Sequence, residues 1–164
     1  MTTMYLRPMR LEDLPCVADL LRLHPADHFP SQFPVSASAA ELGVWLSRRG
    51  WHGFVVEREK QQDVSIAGVV FWYGVGTGRI SLACAGSREK GLLARAIREV
   101  ARYLLAHPEP GATKTILEVV VPRKEAELFL EAGFDLAGPV YDPKGVGPPW
   151  YLLEARKENF NGRF

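Results

Sequence analysis

Glu118 is the one charged residue in the run ILEVVV, residues 116–121. A carboxylate set among apolar neighbours on a strand can take a proton from an attacking group. It can equally turn to solvent or pair with a lysine. The stretch GSREKGLLARAIREV, residues 86–100, offers different chemistry. The start of a helix presents unpaired N–H groups and the positive end of its dipole, so it holds phosphate without a metal. Arg88 and Lys90 add positive charge there, and Gly91 lets a ligand approach the backbone. An ordinary turn before an ordinary helix can carry the same letters. His24 and His28, with Asp27 between them, imitate a metal pair, but Pro25 and the missing third ligand favour a packing role in a loop. Glu57 and His52 are secondary candidates for proton transfer.

These residues need elements to hold them. Met4 to Arg7 reads as a short strand, followed by a helix in RLEDLPCVADLLRLH with apolar residues at helical spacing. The segment HPADHFPSQFPVSAS, residues 24–38, has three prolines and two phenylalanines; such a loop folds over its own core or a ligand. A second helix is predicted over residues 39–49, capped by Ser38 with Glu41 and stopped by Gly50. GFVVERE, VSIAGVVFWYGV and RISLACA read as three successive antiparallel strands. The run 89–107 is the longest helical segment, with apolar residues every three or four positions. A β-branched strand, a short helix closed by Gly133, and two strands joined by a Gly/Pro-rich loop complete the chain. The order β-α-α-β-β-β-α-β-α-β-β predicts an α/β domain with helices on a mixed sheet.

Composition narrows the class. The 164 residues suit one domain, and 47% hydrophobic against 24% charged residues is the balance of a soluble globular protein. Twenty basic and nineteen acidic residues leave a formal charge of +1, so no overall field draws the chain to nucleic acid or an anionic membrane. Cys16 and Cys84 lack metal-site spacing and read as two reduced, buried thiols of a cytoplasmic protein. MTTMYLRPMRLEDL has no apolar core of a secretory signal, and no uncharged apolar run approaches the ~20 residues needed to span a bilayer.

The order of elements, with the turn REKGLL at residues 88–93 and the strand–helix–Gly-Phe unit ILEVVVPRKEAELFLEAGF, resembles the GNAT family of acetyl-coenzyme A-dependent acyltransferases. The opening LRPMRLEDLPCVADLL also resembles that family's first strand and helix, so the likeness spans residues 4–157 of a single domain. It implies a mixed, mostly antiparallel sheet of about seven strands flanked by about four helices. It implies that acetyl-coenzyme A or another acyl-coenzyme A is the co-substrate, with no metal. The pyrophosphate is expected at Arg88 and on the amides of Glu89, Lys90, Gly91, Leu92, Leu93 and Ala94. The pantetheine arm is expected beside Leu82, Ala83 and Cys84, in a splay between that strand and the next one.

Three positions depart from the family pattern. Leu93 replaces the last glycine of the phosphate loop, which predicts a side chain crowding the phosphates. The asparagine common after the fifth strand is absent from VPRKEA. The tyrosine often used as general acid corresponds to Phe129, whose ring cannot protonate a thiolate. Tyr141 and Tyr151 in the closing strands are the candidates to replace it. The expected reaction is N-acyl transfer to an amine of a small molecule or peptide by direct attack in a ternary complex, with Glu118 as base and Tyr141 as acid. The alternative is a catalytically silent domain that binds coenzyme A or a protein partner. The resemblance also makes a homodimer an expected arrangement. Trp45, Trp51, Phe29 and Phe33 read either as an apolar acceptor wall or as core.

Overall fold

The computed structural model describes residues 2–23, 33–74, 76, 78–86, 91–108, 110–111, 114–140 and 150–160. Seven strands are present: β1 (Thr2–Pro8), β2 (His52–Lys60), β3 (Asp63–Gly74), β4 (Arg79–Gly86), β5 (Ile116–Val121), β6 (Asp135–Val140) and β7 (Trp150–Ala155). They form one sheet in the order β1-β2-β3-β4-β5-β7-β6. Every neighbouring pair is antiparallel except β4 and β5, which run parallel. A parallel pair needs a crossover, and helix α3 (Leu92–Ala106) supplies it. Helices α1 (Leu14–Arg22), α2 (Ala39–Arg49) and α4 (Arg123–Ala132) complete the set. Among the described residues, this mixed, mostly antiparallel seven-stranded architecture with four α-helices is the one the resemblance implies.

Alternation along the strands sorts the core into two layers. Val70, Leu82, Leu117, Val119 and Leu153 face α3 and α4. Val55, Val69, Phe71, Ala83 and Ala85 face α1 and α2. Buried on both faces, β3 therefore reads as the nearly continuous apolar run AGVVF. Helix α3 places Leu93, Ile97, Val100 and Leu104 on one side, the stripe that meets the sheet.

Local chemistry fixes the ends of these elements. Ser38 Oγ accepts a hydrogen bond from the Glu41 backbone N–H at 3.2 Å and donates to Glu41 Oε1 at 3.0 Å, so α2 starts where the sequence predicts. The first helix differs in detail, because Leu11–Asp13 form a 3-10 turn and the α-helix begins only at Leu14. A larger difference lies at α3. Helix α3 itself begins at Leu92, with Gly91 at its N-cap at φ 78° in the left-handed region, which a helix interior does not allow. Glu89 and Lys90, where the sequence predicts the helical run to start, lie outside the described residues. Cys16 is exposed rather than buried, since it points away from the α1 face that carries Val17 and Leu21; neither cysteine forms a disulfide.

One polar joint ties the edge of the sheet together. Arg7 on β1 forks onto Asp13, with Nη1 2.7 Å from Oδ2 and Nη2 2.8 Å from Oδ1, and its Nε donates to Glu57 on β2. The Arg10 backbone N–H also donates to Asp13 Oδ2 at 2.7 Å. Asp13 is buried, and the hydrogen bond from Arg7 holds its carboxyl below the usual aspartate range. The same bonds, to Asp13 first and Glu57 second, push the Arg7 guanidinium up. Glu57 is thus engaged in a structural fork.

Candidate functional site

The site is organised around a place where a hydrogen-bond ladder stops. Strands β4 and β5 pair at Arg79↔Ile116, Ile80↔Leu117 and Ser81↔Glu118, and no further. Strand β4 continues to Gly86, still paired to β3, while β5 continues to Val121, still paired to β7. The two central strands therefore part beyond Ser81 and Glu118, and residues 82–86 lie outside the β5 ladder. Backbone groups facing such a gap need partners, and an extended chain of amides can supply them as an added strand does. Leu82 and Cys84 turn toward the α3 layer, and Ala83 turns toward the α1–α2 layer.

Helix α3 starts close to the wide end of the gap, because β4 leads into it. Leu92 packs with Val56, Ala67 and Ala96. Leu93 is 4% exposed and lies in the core between sheet and helix, its Cδ1 3.3 Å from where a Cβ on Gly68 would stand. This corrects the expectation that Leu93 crowds the phosphates. The helical register that puts it on the stripe with Ile97 and Val100 turns its side chain inward. Ala94 is also buried. Gly86, at the end of β4, approaches β3 so closely that a Cβ on it would come 2.5 Å from the Gly68 Cα and 2.6 Å from the Ala67 carbonyl oxygen. Arg88, Glu89 and Lys90 lie outside the described residues, as does Tyr141.

Glu118 occupies the last rung before the strands part. Its neighbours Leu117 and Val119 point into the α3–α4 core, so its own side chain lies on the opposite face of the sheet. Arg79 Nη1 donates to Glu118 Oε2 at 2.8 Å. The carboxylate is thus neither solvent-facing nor lysine-bound but paired with arginine, and its side chain keeps 20% exposure. The register places Tyr73, Ser81, Glu118, Glu154 and Asp135 in one row across five strands. Glu154 is paired with Arg156 at 3.0 Å, and Asn159 Nδ2 donates to Asp135 Oδ2 at 2.8 Å. Neither Arg79 nor this row was singled out by sequence reasoning. The signal was the start of RISLACA, but the facing residue is known only once the two strands are paired.

The remaining candidates fall elsewhere. The ring of His52 stacks on Trp72 at 4.5 Å on the exposed end of β2. Tyr151 is half-buried opposite Val121 and packs against the α3–α4 core. Phe129 is buried in that core, edge-on to Phe134 at 5.4 Å, so a proton donor is missing at its position. His24, His28 and Phe29 lie outside the described residues. Phe33, Trp45 and Trp51 do meet: Phe33 is 5.0 Å from Trp45 and 5.4 Å from Trp51, and Trp51 lies 4.9 Å from Tyr73. They form an aromatic wall between α2 and the β2–β3 strands.

No protein-family sequence model matches the chain, nor does any curated protein. Solved structures do match in shape. Aminoglycoside acetyltransferase AAC(6')-Ib in complex with coenzyme A and kanamycin superposes with a TM-score of 0.68 at 17% identity, covering 96% of this chain and 97% of the other. The same enzyme in complex with acetyl-CoA gives 0.70 at 18% identity, covering 99% and 98%. A variant of the spermidine N-acetyltransferase SpeG from Vibrio cholerae gives 0.72 at 16% identity, covering 96% and 98%. These proteins are GNAT members. The chain has the GNAT fold. In this GNAT fold the parted strands and the start of α3 adjoin one another, and the paired Glu118 lies at the base of the gap on the α1–α2 face. Among the described residues, no helix is long and apolar enough to cross a membrane.

Proposed function

We propose that this protein is an acetyl-coenzyme A-dependent N-acyltransferase acting on an amine of a small molecule. The observation that carries the reading is the ladder between β4 and β5, which stops at Ser81↔Glu118 while β4 runs on to Gly86, ahead of the start of α3. In this reading the pyrophosphate rests on the amides at residues 89–94, with Arg88 and Lys90 beside it. Pantetheine lies along Leu82, Ala83 and Cys84 in the gap, its amides pairing with the strand backbone. The coenzyme supplies the acyl group as a thioester. A β4 backbone N–H polarises the thioester carbonyl.

The acceptor amine then attacks from the α1–α2 face. A C–N bond forms, the C–S bond breaks, the amine proton passes to Glu118, and the departing sulfur takes a proton from Tyr141. Arg79 holds the Glu118 carboxylate in place for that role. With Phe129 sealed in the core, the proton comes from another residue or from water, and Tyr141, which follows β6 in the sequence, is the candidate residue. Acetyl-CoA and AAC(6')-Ib, or coenzyme A with kanamycin in the same enzyme, give the precedent for both ligands on this fold.

The test measures melting temperature with and without acetyl-CoA, then free-thiol release over a panel of amines. Stabilisation with turnover is the expected result, and Glu118→Gln should lower kcat by about a hundredfold while leaving the acetyl-CoA KM unchanged. Stabilisation without release for any amine would replace this reading with a binding-only protein. No stabilisation at all would remove the coenzyme from the account.

A further inference from the structure

Two of the enzymes with this fold are named for polycations, an aminoglycoside and spermidine. The acceptor side of this chain carries apolar borders. Helices α1 and α2 cover the β2–β4 part of the sheet, and the core beneath them includes no residue of β5, β7 or β6. Across the gap from β4, the same face of the sheet therefore presents Val120, which is 37% exposed, and the half-buried Leu152, its cross-strand partner on β7. On the near side stands Tyr73, in the rung that includes Ser81, with the ring of Trp51 4.9 Å from it. Between these two apolar borders lies Glu118, one rung before the strands part.

Charge decides what such a trough accepts. Glu118 is already paired with Arg79, and Glu154, the next carboxylate in the row, with Arg156. These two carboxylates nearest the gap each carry an arginine, and Asp135, which bonds to Asn159, stands farther off on the outer strand β6. Little net field therefore remains beside the gap to attract the several ammonium groups of a polycation. Apolar contact on both borders contributes instead, at roughly 25 cal/mol per Å² of surface removed from water.

We propose that the acceptor is a primary monoamine carried on an aryl or bulky alkyl body, with Tyr73, Trp51, Val120 and Leu152 as the residues that set this preference. The inference rests on the acyl-transfer reading above. The body lies against the two borders, and the amine reaches the rung of Glu118. Arg79 completes the selection by neutralising the carboxylate that a second cationic centre would otherwise meet.

The experiment compares kcat/KM for 2-phenylethylamine and cyclohexylmethylamine with that for spermidine and kanamycin, using the full chain and acetyl-CoA. The monoamines should be preferred by about tenfold or more. Tyr73→Ala should raise the KM for 2-phenylethylamine about tenfold and leave the acetyl-CoA KM unchanged. Val120→Asp, on an exposed strand position that tolerates a polar side chain, should shift the preference toward spermidine by a similar factor. Equal or better turnover of the polycations, or an unmoved preference in folded Val120→Asp, would overturn the inference and leave the acyl-transfer reading standing. Loss of acetyl-CoA stabilisation in the unmodified protein would instead strike that reading itself.

Discussion

Gly91 and Leu93 lie two residues apart and have opposite consequences for a ligand. Gly91 sits at the N-cap with φ 78°, and a Cβ there would come 3.0 Å from Glu131 Oε1, a mobile side-chain end. Backbone strain and added charge at that point would both act against a diphosphate. Gly91→Asp should therefore weaken acetyl-CoA binding about tenfold or more, measured by titration calorimetry, while the protein remains folded. Unchanged affinity would move the phosphate site away from α3. Leu93 asks for the reverse treatment, since its side chain belongs to the core and its truncation would cost stability before it altered the coenzyme. Residue type alone could not separate these two roles, because a leucine in place of a loop glycine looks like an obstruction until the helix phase is known.

At the scale of elements, the sheet is held at its edge by a fork and parted at its centre by a broken ladder. Arg7 joins β1 to β2 through Glu57 and to the 3-10 turn before α1 through Asp13. Asp13→Asn removes the charge from the buried end of the fork and leaves Arg7 with Glu57 alone, so it should destabilise the fold by about 1–2 kcal/mol. The pH dependence follows from the direction of the shift. A carboxyl whose folded value lies below its ordinary 3.8 gives stability that is complete above that ordinary value and is lost as pH falls through the folded one. The stability gap between the wild type and Asp13→Asn should thus be constant near neutrality and close below about pH 4, followed by chemical denaturation at stepped pH. A gap that does not narrow at all between about pH 4 and pH 2 would mean that Asp13 acts through packing rather than charge.

The whole molecule divides its sheet between two tasks. Strands β1 to β3 pair antiparallel along their lengths, whereas β4 and β5 part halfway along. Stability is unevenly distributed in such an architecture, and binding should be felt where the ladder is incomplete. Hydrogen exchange should slow on addition of acetyl-CoA in β4 beyond Ser81 and in β5 beyond Glu118, with β1 and the β2–β3 hairpin unchanged. Uniform slowing across all seven strands would indicate global stabilisation by linkage without a ligand in the gap.

Much of this fold was legible in the sequence. The α2 cap at Ser38, the amphipathic stripe of α3, the Gly133 stop of α4 and the order of strands and helices follow from local chemistry, which acts over a few residues. The start of α3 was less legible, since the letters EKG continue the helical run while the backbone at Gly91 turns left-handed. The aromatic residues were visible as a group, but their meeting depended on α2 crossing the ends of β2 and β3. Glu118 stood out by its apolar neighbours, yet neither its arginine nor its row could be named beforehand.

By itself, then, the chain specified its elements and the order that makes a GNAT fold, because helix periodicity, strand alternation and caps are written in neighbouring residues. Tertiary structure alone decided that Arg79 meets Glu118 across 39 positions of sequence and that β4 and β5 separate one rung later. Strand pairing and register are fixed by the packing of two layers on one sheet. No local pattern records which residue ends opposite which.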